Sequence, residues 1–265
     1  MKRWIPFLNR GPLVAVIRLS GSIGTGSRSQ LNEEAIGPII DKAFRRGRPA
    51  AVALVINSPG GSPVQSSLIA GRIRRLAEEK EIPVHAFVED VAASGGYWLA
   101  TAADDIWVDQ SSIVGSIGVI SAGFGAHVFL ARQGVERRVH TAGKSKSMLD
   151  PFLPEKEEDV ERLKTLLDQM HVTFTDHVKA RRGDRLTDKR DLFTGEFWLG
   201  VRAVELGLVD GVAHIEPKLK DLYGDKLRFA RYGRKRGLLQ RFGMTVAQDA
   251  LAAVEERADY ARFGL

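Results

Sequence analysis

The chain has 265 residues, 44% of them hydrophobic, enough to bury the core of one large domain or of a domain with an appendage. It contains no cysteine, which excludes a disulfide framework and thiolate metal sites. Its 39 basic and 33 acidic residues leave a charge of +6, a mild excess that reads as solvated surface rather than as a nucleic-acid footprint.

The sequence starts with a basic segment, but Arg10, Gly11 and Pro12 interrupt it before any adequate apolar region. No stretch approaches the ~20 apolar residues of a spanning helix. The expectation is a cytoplasmic chain without a transmembrane segment or clear signal peptide, with peripheral contact at the inner membrane face left open. Residues 13–19 are short, apolar and β-branched, as in a strand buried on both faces. A Gly/Ser-rich loop follows at 20–29, then helical spacing over 31–45. A second buried strand, 51–56, ends in Asn57-Ser58-Pro59-Gly60-Gly61-Ser62-Pro63. A helix over about 64–79 precedes an apolar strand at 83–88, which leads through Ala93-Ser94-Gly95-Gly96 into an alanine-rich helix. This alternation predicts an α/β fold with a mainly parallel sheet, whose sites gather at the carboxyl ends of the strands. Gly60, Gly61 and Ser94 fall there.

Further strands are predicted at 106–108 and 135–140, with a glycine-interrupted apolar run at 111–120 and a helix near 127–133. A loop at 141–147 follows. Residues 155–182 read as a long helix, on which Val160, Leu163, Leu166, Leu167 and Met170 form a stripe suited to core or oligomer contact. A turn at 191–200 feeds a short helix that Gly207 closes. Three regions are expected: an N-terminal extension (1–11), the main domain (12–230), and a basic segment with a helical C-terminal arm (231–265). Docking of that arm on a neighbouring subunit is favoured over an interfacial membrane helix, because an alanine face supplies little transfer energy. No nucleic-acid motif accompanies its charge.

Ser94 on a strand-to-helix turn has two readings. It is an N-cap, the commonest use of such a serine, or a nucleophile that small neighbours expose to a carbonyl carbon. His171 and His177 are six apart, poor geometry for sharing a metal, and no HExxH or GxxxxGK[ST] occurs, so no metal and no cofactor is expected. His85 reads as a satisfied core residue, and only His140 sits where a base belongs. Lys146, flanked by Gly143, Ser145 and Ser147, is either an ordinary solvated lysine or a general base, a role open to a lysine that a closed pocket keeps neutral. Ser116 belongs either to a bulged strand or to a wall of the site.

The motifs Asn57-Ser58-Pro59-Gly60-Gly61-Ser62, Ala93-Ser94-Gly95-Gly96-Tyr97, Gly115-Ser116-Ile117-Gly118-Val119 and Ala142-Gly143-Lys144-Ser145-Lys146 occur in that order. Together with Phe193-Thr194-Gly195 and Gly207-Leu208-Val209-Asp210 they resemble the signal peptide peptidase A/SohB family of serine–lysine peptidases. The resemblance covers about residues 12–215. It implies a Clp-protease/crotonase-like spiral of β-β-α units, a serine endopeptidase acting on extended peptides, and a ring-like homo-oligomer in which neighbours help build the site. It further implies Ser94 as nucleophile, Lys146 as general base, Ser116 as the hydroxyl that orients the lysine, and Gly61 with Gly60 at the oxyanion hole. The N-terminal anchor of typical members has no counterpart in the motif pattern. Two other readings stand beside this one: a crotonase-like acyl-CoA enzyme, which would want a catalytic carboxylate, and a catalytically inactive scaffold of the same fold.

Overall fold

The computed structural model describes residues 11–25, 30–143, 145–233, 254 and 257–265. The first strand, β1 (Leu13–Ser20), alternates its side chains between two buried faces, with Ala15, Ile17 and Leu19 in the main core and Val14 and Val16 in a second cluster. Helix α1 (Glu33–Arg45) starts where the Asn32 side chain accepts a hydrogen bond from the Ala35 amide, with Glu33 and Glu34 in its first turn and Lys42 and Arg45 in its last. Strand β2 (Ala51–Ser58) repeats the two-faced pattern, and α2 (Pro63–Lys80) is capped by Ser62 with a proline at its first position. Arg72 of α2 clasps Glu33 and Asp41 of α1, which fixes the two helices side by side.

Strand β3 (Val84–Ala93) is the hinge of the architecture. Its first half pairs in parallel with β4 (Asp105–Val108), and its end pairs with β5 (Ile113–Gly115). Between the β3 end and the β4 start lies the short helix α3 (Gly95–Ala100), every residue of which is buried. Beyond β5 come α4 (His127–Arg132) and the long α5 (Glu157–Arg182), then β6 (Phe197–Leu199), α6 (Gly200–Glu205), β7 (Gly211–Val212), α7 (Ile215–Tyr223) and β8 (Arg228–Tyr232). Among the described residues eight strands form one sheet along β6-β5-β3-β2-β1-β8, with β4 beside β3 and β7 beside β4, and every pairing there is parallel except β5 with β6.

One face of the sheet carries α1, α2 and α3 over the largest core cluster, which includes Phe44, Leu54, Ile56, Ile73 and Leu99. Each such fully buried large side chain contributes about 1.5–3 kcal/mol of transfer energy. The other face is covered by α7, whose Leu219 packs with Val14, Val16 and Phe87. The alternation read from the sequence and the mainly parallel α/β fold are what the chain adopts.

Two expectations need correction. Residues 135–140 form no strand, and the apolar run 111–120 pairs only over Ile113–Gly115. The cause is visible in both places. Ser116 turns the backbone to φ +52°, ending the ladder after Gly115, and Val135 is 52% exposed with no strand beside it to complete a sheet. Residues 257–265 pack on their own chain, with Phe263 among Val91 and Ala93. The N-terminal extension and most of the basic segment fall outside the described residues.

Candidate active site

The site is built at the carboxyl ends of β2 and β3. Opposite Ile56 and Ser58 of β2 stand Val88 and Ala92 of β3, so four residues of β3 advance against two of β2. This bulge raises the end of β3, and the Asn57 side chain ties it down by donating to Asp90 at 2.6 Å. The chain then turns at Ser94 with φ +51° and ψ −119°, a region that costs a non-glycine residue about 1–3 kcal/mol. The Ser94 amide donates to the Gly115 carbonyl at 2.8 Å, which holds the turn against β5. Its side chain makes no cap hydrogen bond to α3, so the N-cap reading fails and the hydroxyl is left half-exposed among buried neighbours.

Gly60 and Gly61 lie against this turn, at φ +104° and +136°. A Cβ on Gly60 would come within 2.8 Å of the Ser94 Cβ and of the Ala93 carbonyl oxygen, and one on Gly61 within 2.1 Å of the Ile23 carbonyl oxygen. Only glycine lets both segments approach so closely. Ile23 braces the loop from the other side: its amide donates to the Gly60 carbonyl and its carbonyl accepts from the Ser62 amide, both at 2.8 Å. The Gly60 amide donates to Ser58 Oγ at 3.3 Å. Among the described residues no backbone partner engages the Gly61 amide. The Gly95 amide, first of α3, lies nearby, since a Cβ on Gly95 would sit 3.4 Å from the Gly61 nitrogen.

These groups open into a cavity of about 650 Å³ lined by Gly60, Gly61, Ser94, Gly95, Ser116 and Thr194, among others. Its apolar wall comes from Trp98 and from Leu163, Leu167, Met170 and Phe174 of α5. Trp98 stacks on Phe174 at 4.9 Å and on His177 at 4.5 Å, which seats α5 on α3. The C-terminal half of α5 is bolted down by Arg181, which donates to the Thr101 and Ala103 carbonyls, and by the buried Arg182 on Asp210. Its N-terminal half overhangs the cavity, with Leu166 and Met170 more than two-fifths exposed. The stripe predicted as core or oligomer contact therefore faces the site in its Leu163, Leu167 and Met170 positions.

The histidines stand elsewhere. None lines the cavity. His85 is buried between Asp105 (2.8 Å) and the Tyr223 hydroxyl (2.7 Å), as a satisfied core residue should be. It stands at the start of β3, the end of the strand opposite to Ser94. His177 lies under Trp98 beside the Thr101 hydroxyl, and burial, then the Arg181 charge, lowers its pKa to about 4. His140 is exposed. Among the described residues no group of three His, Asp or Glu is placed to hold a metal ion.

Ser116 lines the same cavity as Ser94, its backbone held by the Glu196 carbonyl at 2.6 Å. Lys146 does not. It is exposed on a turn closed by its own amide and the Gly143 carbonyl, and it is absent from the cavity wall. The excursion that carries it, residues 118–156, contains no buried side chain among its described residues, and Phe124 is 95% exposed. The single chain thus brings together Ser94, Ser116, Gly60 and Gly61 and leaves Lys146 apart. The α5 wall and the lining residues Asp259 and Arg262 went unread in the sequence. The 163/167/170/174 spacing was a usable signal for the wall; nothing local marked the last two.

A model of peptidase family S49 matches residues 77–224. The chain is 48% identical, over its whole length, to 39% of a protein of Brucella abortus named Na(+)/H(+) antiporter NhaA. It is 30% identical over 90% of its length to 66% of the probable protease SohB of Haemophilus influenzae. The chain therefore spans about two-fifths to two-thirds of these curated relatives. Among the described residues no helix is long and apolar enough to cross a membrane. A solved structure of a serine-to-alanine mutant of the 1510-N membrane-bound stomatin-specific protease superposes with a TM-score of 0.51 at 13% identity, over 85% of this chain and 99% of that one, which shows the shared fold. The chain belongs to peptidase family S49, with the SppA and SohB proteases.

Proposed function

We propose that this chain is a serine endopeptidase of extended peptides, with Ser94 as nucleophile and Lys146 as general base. The observation that carries the reading is the uncapped Ser94 hydroxyl, held at a strained turn beside the Gly61 amide in a cavity that no histidine enters. A serine oxygen so placed needs a base, and the resemblance of the motif around Lys146 to serine–lysine peptidases supports this lysine in that role.

In this mechanism the neutral amine of Lys146 takes the Ser94 proton as Oγ attacks the scissile carbonyl carbon. The Gly61 and Gly95 amides receive the tetrahedral oxyanion, a contribution of about 3–4 kcal/mol per donor in comparable sites. Lys146 then gives its proton to the leaving amine, and the acyl-enzyme is released by a water that the same amine deprotonates. Ser116 orients the lysine. The apolar wall takes a side chain of the substrate while its backbone lies extended beside the site.

The base arrives from a neighbouring copy in a ring-like oligomer. What supports this is the exposure of the whole excursion 118–156 in the single chain, with Phe124, Phe129 and Val135 more than half exposed. A serine-directed acylating probe tests the reading. The unmodified protein is expected to be acylated on Ser94, while Ser94→Ala and Lys146→Ala are not; equal labelling of all three contradicts it.

A further inference from the structure

The last nine residues of the sequence sit on the catalytic end of the sheet and touch both strand ends that build it. The Tyr260 hydroxyl donates to the Asn57 carbonyl at 2.7 Å, three residues before Gly60. That oxygen already accepts from the Gly21 amide at 3.0 Å, so Tyr260 joins an existing brace of the β2 end. Phe263 is 9% exposed and packs with Val91 and Ala93, the latter directly before Ser94, and edge-on against Phe197 of β6 at 5.2 Å. The buried Ser22 hydroxyl donates to Asp259 at 2.7 Å, from the loop that braces Gly61. Three separate contacts therefore fasten this segment, and Asp259 and Arg262 on it line the cavity that holds Ser94.

We propose that residues 257–265 are a wall of the substrate cleft and that Arg262 on this wall receives a carboxylate of the bound peptide. The two charges on the wall are not equivalent. Asp259 is engaged by Ser22, whereas Arg262 has only the Phe263 ring beside its guanidinium, at 5.9 Å, and no ion pair among the described residues. The cavity thus has an apolar side, from Trp98 and α5, and a polar side on which Asp259 is held by Ser22 while Arg262 has no hydrogen-bonded partner among the described residues. An extended peptide with an apolar residue in the first and a carboxylate toward the second matches both. The carboxylate is that of a Glu or Asp side chain or of a peptide C-terminus.

This inference rests on the peptidase reading and deepens it. The test uses the full chain and matched peptides carrying Glu or Gln at each position flanking the scissile bond, each made with a free-acid and an amidated end. An exposed ion pair is worth about two- to fivefold in affinity. The unmodified protein is expected to favour one carboxylate peptide by that factor, through KM rather than kcat, with the preference shrinking at high salt. Arg262→Gln should erase the preference and Arg262→Glu should invert it. Arg75→Gln, which removes a cation paired with Glu79 on the exposed face of α2, should leave it intact. The Glu and free-acid arms separate the two sources of the carboxylate. An unchanged ratio in Arg262→Glu, or an equal shift in Arg75→Gln, overturns the proposal alone. Cleavage that persists in Ser94→Ala, or no cleavage of any peptide, overturns the peptidase reading and this inference with it.

Discussion

Two regions of this molecule contrast. At the carboxyl ends of β2 and β3, the turns carrying Gly60, Gly61 and Ser94 are fixed by the Ile23 bridge, the Ser94–Gly115 bond and a core buried on both faces of the sheet. The excursion 118–156, which carries Lys146, has its internal turns and an Arg137–Asp150 ion pair at 3.0 Å but no buried side chain among its described residues. Where the backbone strain of an active site is stored, the surrounding core must over-determine it. The half that carries the proposed nucleophile meets that condition within one chain. In the proposed assembly the half that carries Lys146 would gain it from a partner.

The largest effects should come from the two reacting groups. Ser94→Ala and Lys146→Ala are each expected to lower peptide cleavage by about a millionfold in steady-state assays, by analogy with catalytic groups that act as a unit. Their thermal stabilities should differ from the parent's by less than about 1 kcal/mol, because neither side chain is buried. Next comes Gly61→Ala, which should strike fold and activity together. The added Cβ meets the Ile23 oxygen at 2.1 Å, and the backbone sits at φ +136°. A loss of about 2–3 kcal/mol in denaturant unfolding is expected, with a large fall in kcat as the amide moves.

A substitution in the other region should do the opposite. Phe124→Ser removes a side chain that is 95% exposed, so unfolding at high dilution should change by less than about 0.5 kcal/mol. Sedimentation at working concentration should nonetheless show weaker association, and cleavage should fall with it. A variant that sediments and cleaves as the parent does would erase the proposed difference between the regions.

The smallest effect on cleavage concerns the seat of α5, where the readout is stability. His177 has its pKa lowered from 6.5 to about 4 by burial and by Arg181, so the unfolded chain binds the proton more readily than the folded one. Its contribution is complete above pH 6.5 and is lost as pH falls toward 4. Unfolding followed from pH 7 to pH 4 should show this acid loss, and His177→Gln should flatten it.

Much of this was legible in the sequence because the relevant forces are local. Two-faced apolar runs announced β1, β2 and β3, and apolar spacing announced α1 and α2, whose starts the structure fixes by the Asn32 and Ser62 side chains. Gly60 and Gly61 were placed at the carboxyl end of a strand, and the structure shows why glycine is needed there, with the Ile23 oxygen 2.1 Å from a Cβ on Gly61. What the pattern missed depends on distant parts of the chain. The stripe at 163, 167, 170 and 174 has the same spacing whether it meets a core or a cavity, and only Trp98 stacked on Phe174 decides between them. Residues 135–140 have strand composition but no neighbour to pair with. The place of Phe263 against Ala93 spans 170 residues of chain, and nothing in the local order of 257–265 encodes it.

The central claim is that a serine fixed by one chain's core is activated by a lysine presented on another's exposed excursion. It is tested most directly by mixing Ser94→Ala chains with Lys146→Ala chains, dissociating and reassembling them, and measuring peptide cleavage. Each variant alone should be inactive, and the mixture should recover a substantial part of the activity of parent chains treated the same way. A mixture as inactive as its components, alongside active reassembled parent, would contradict the account.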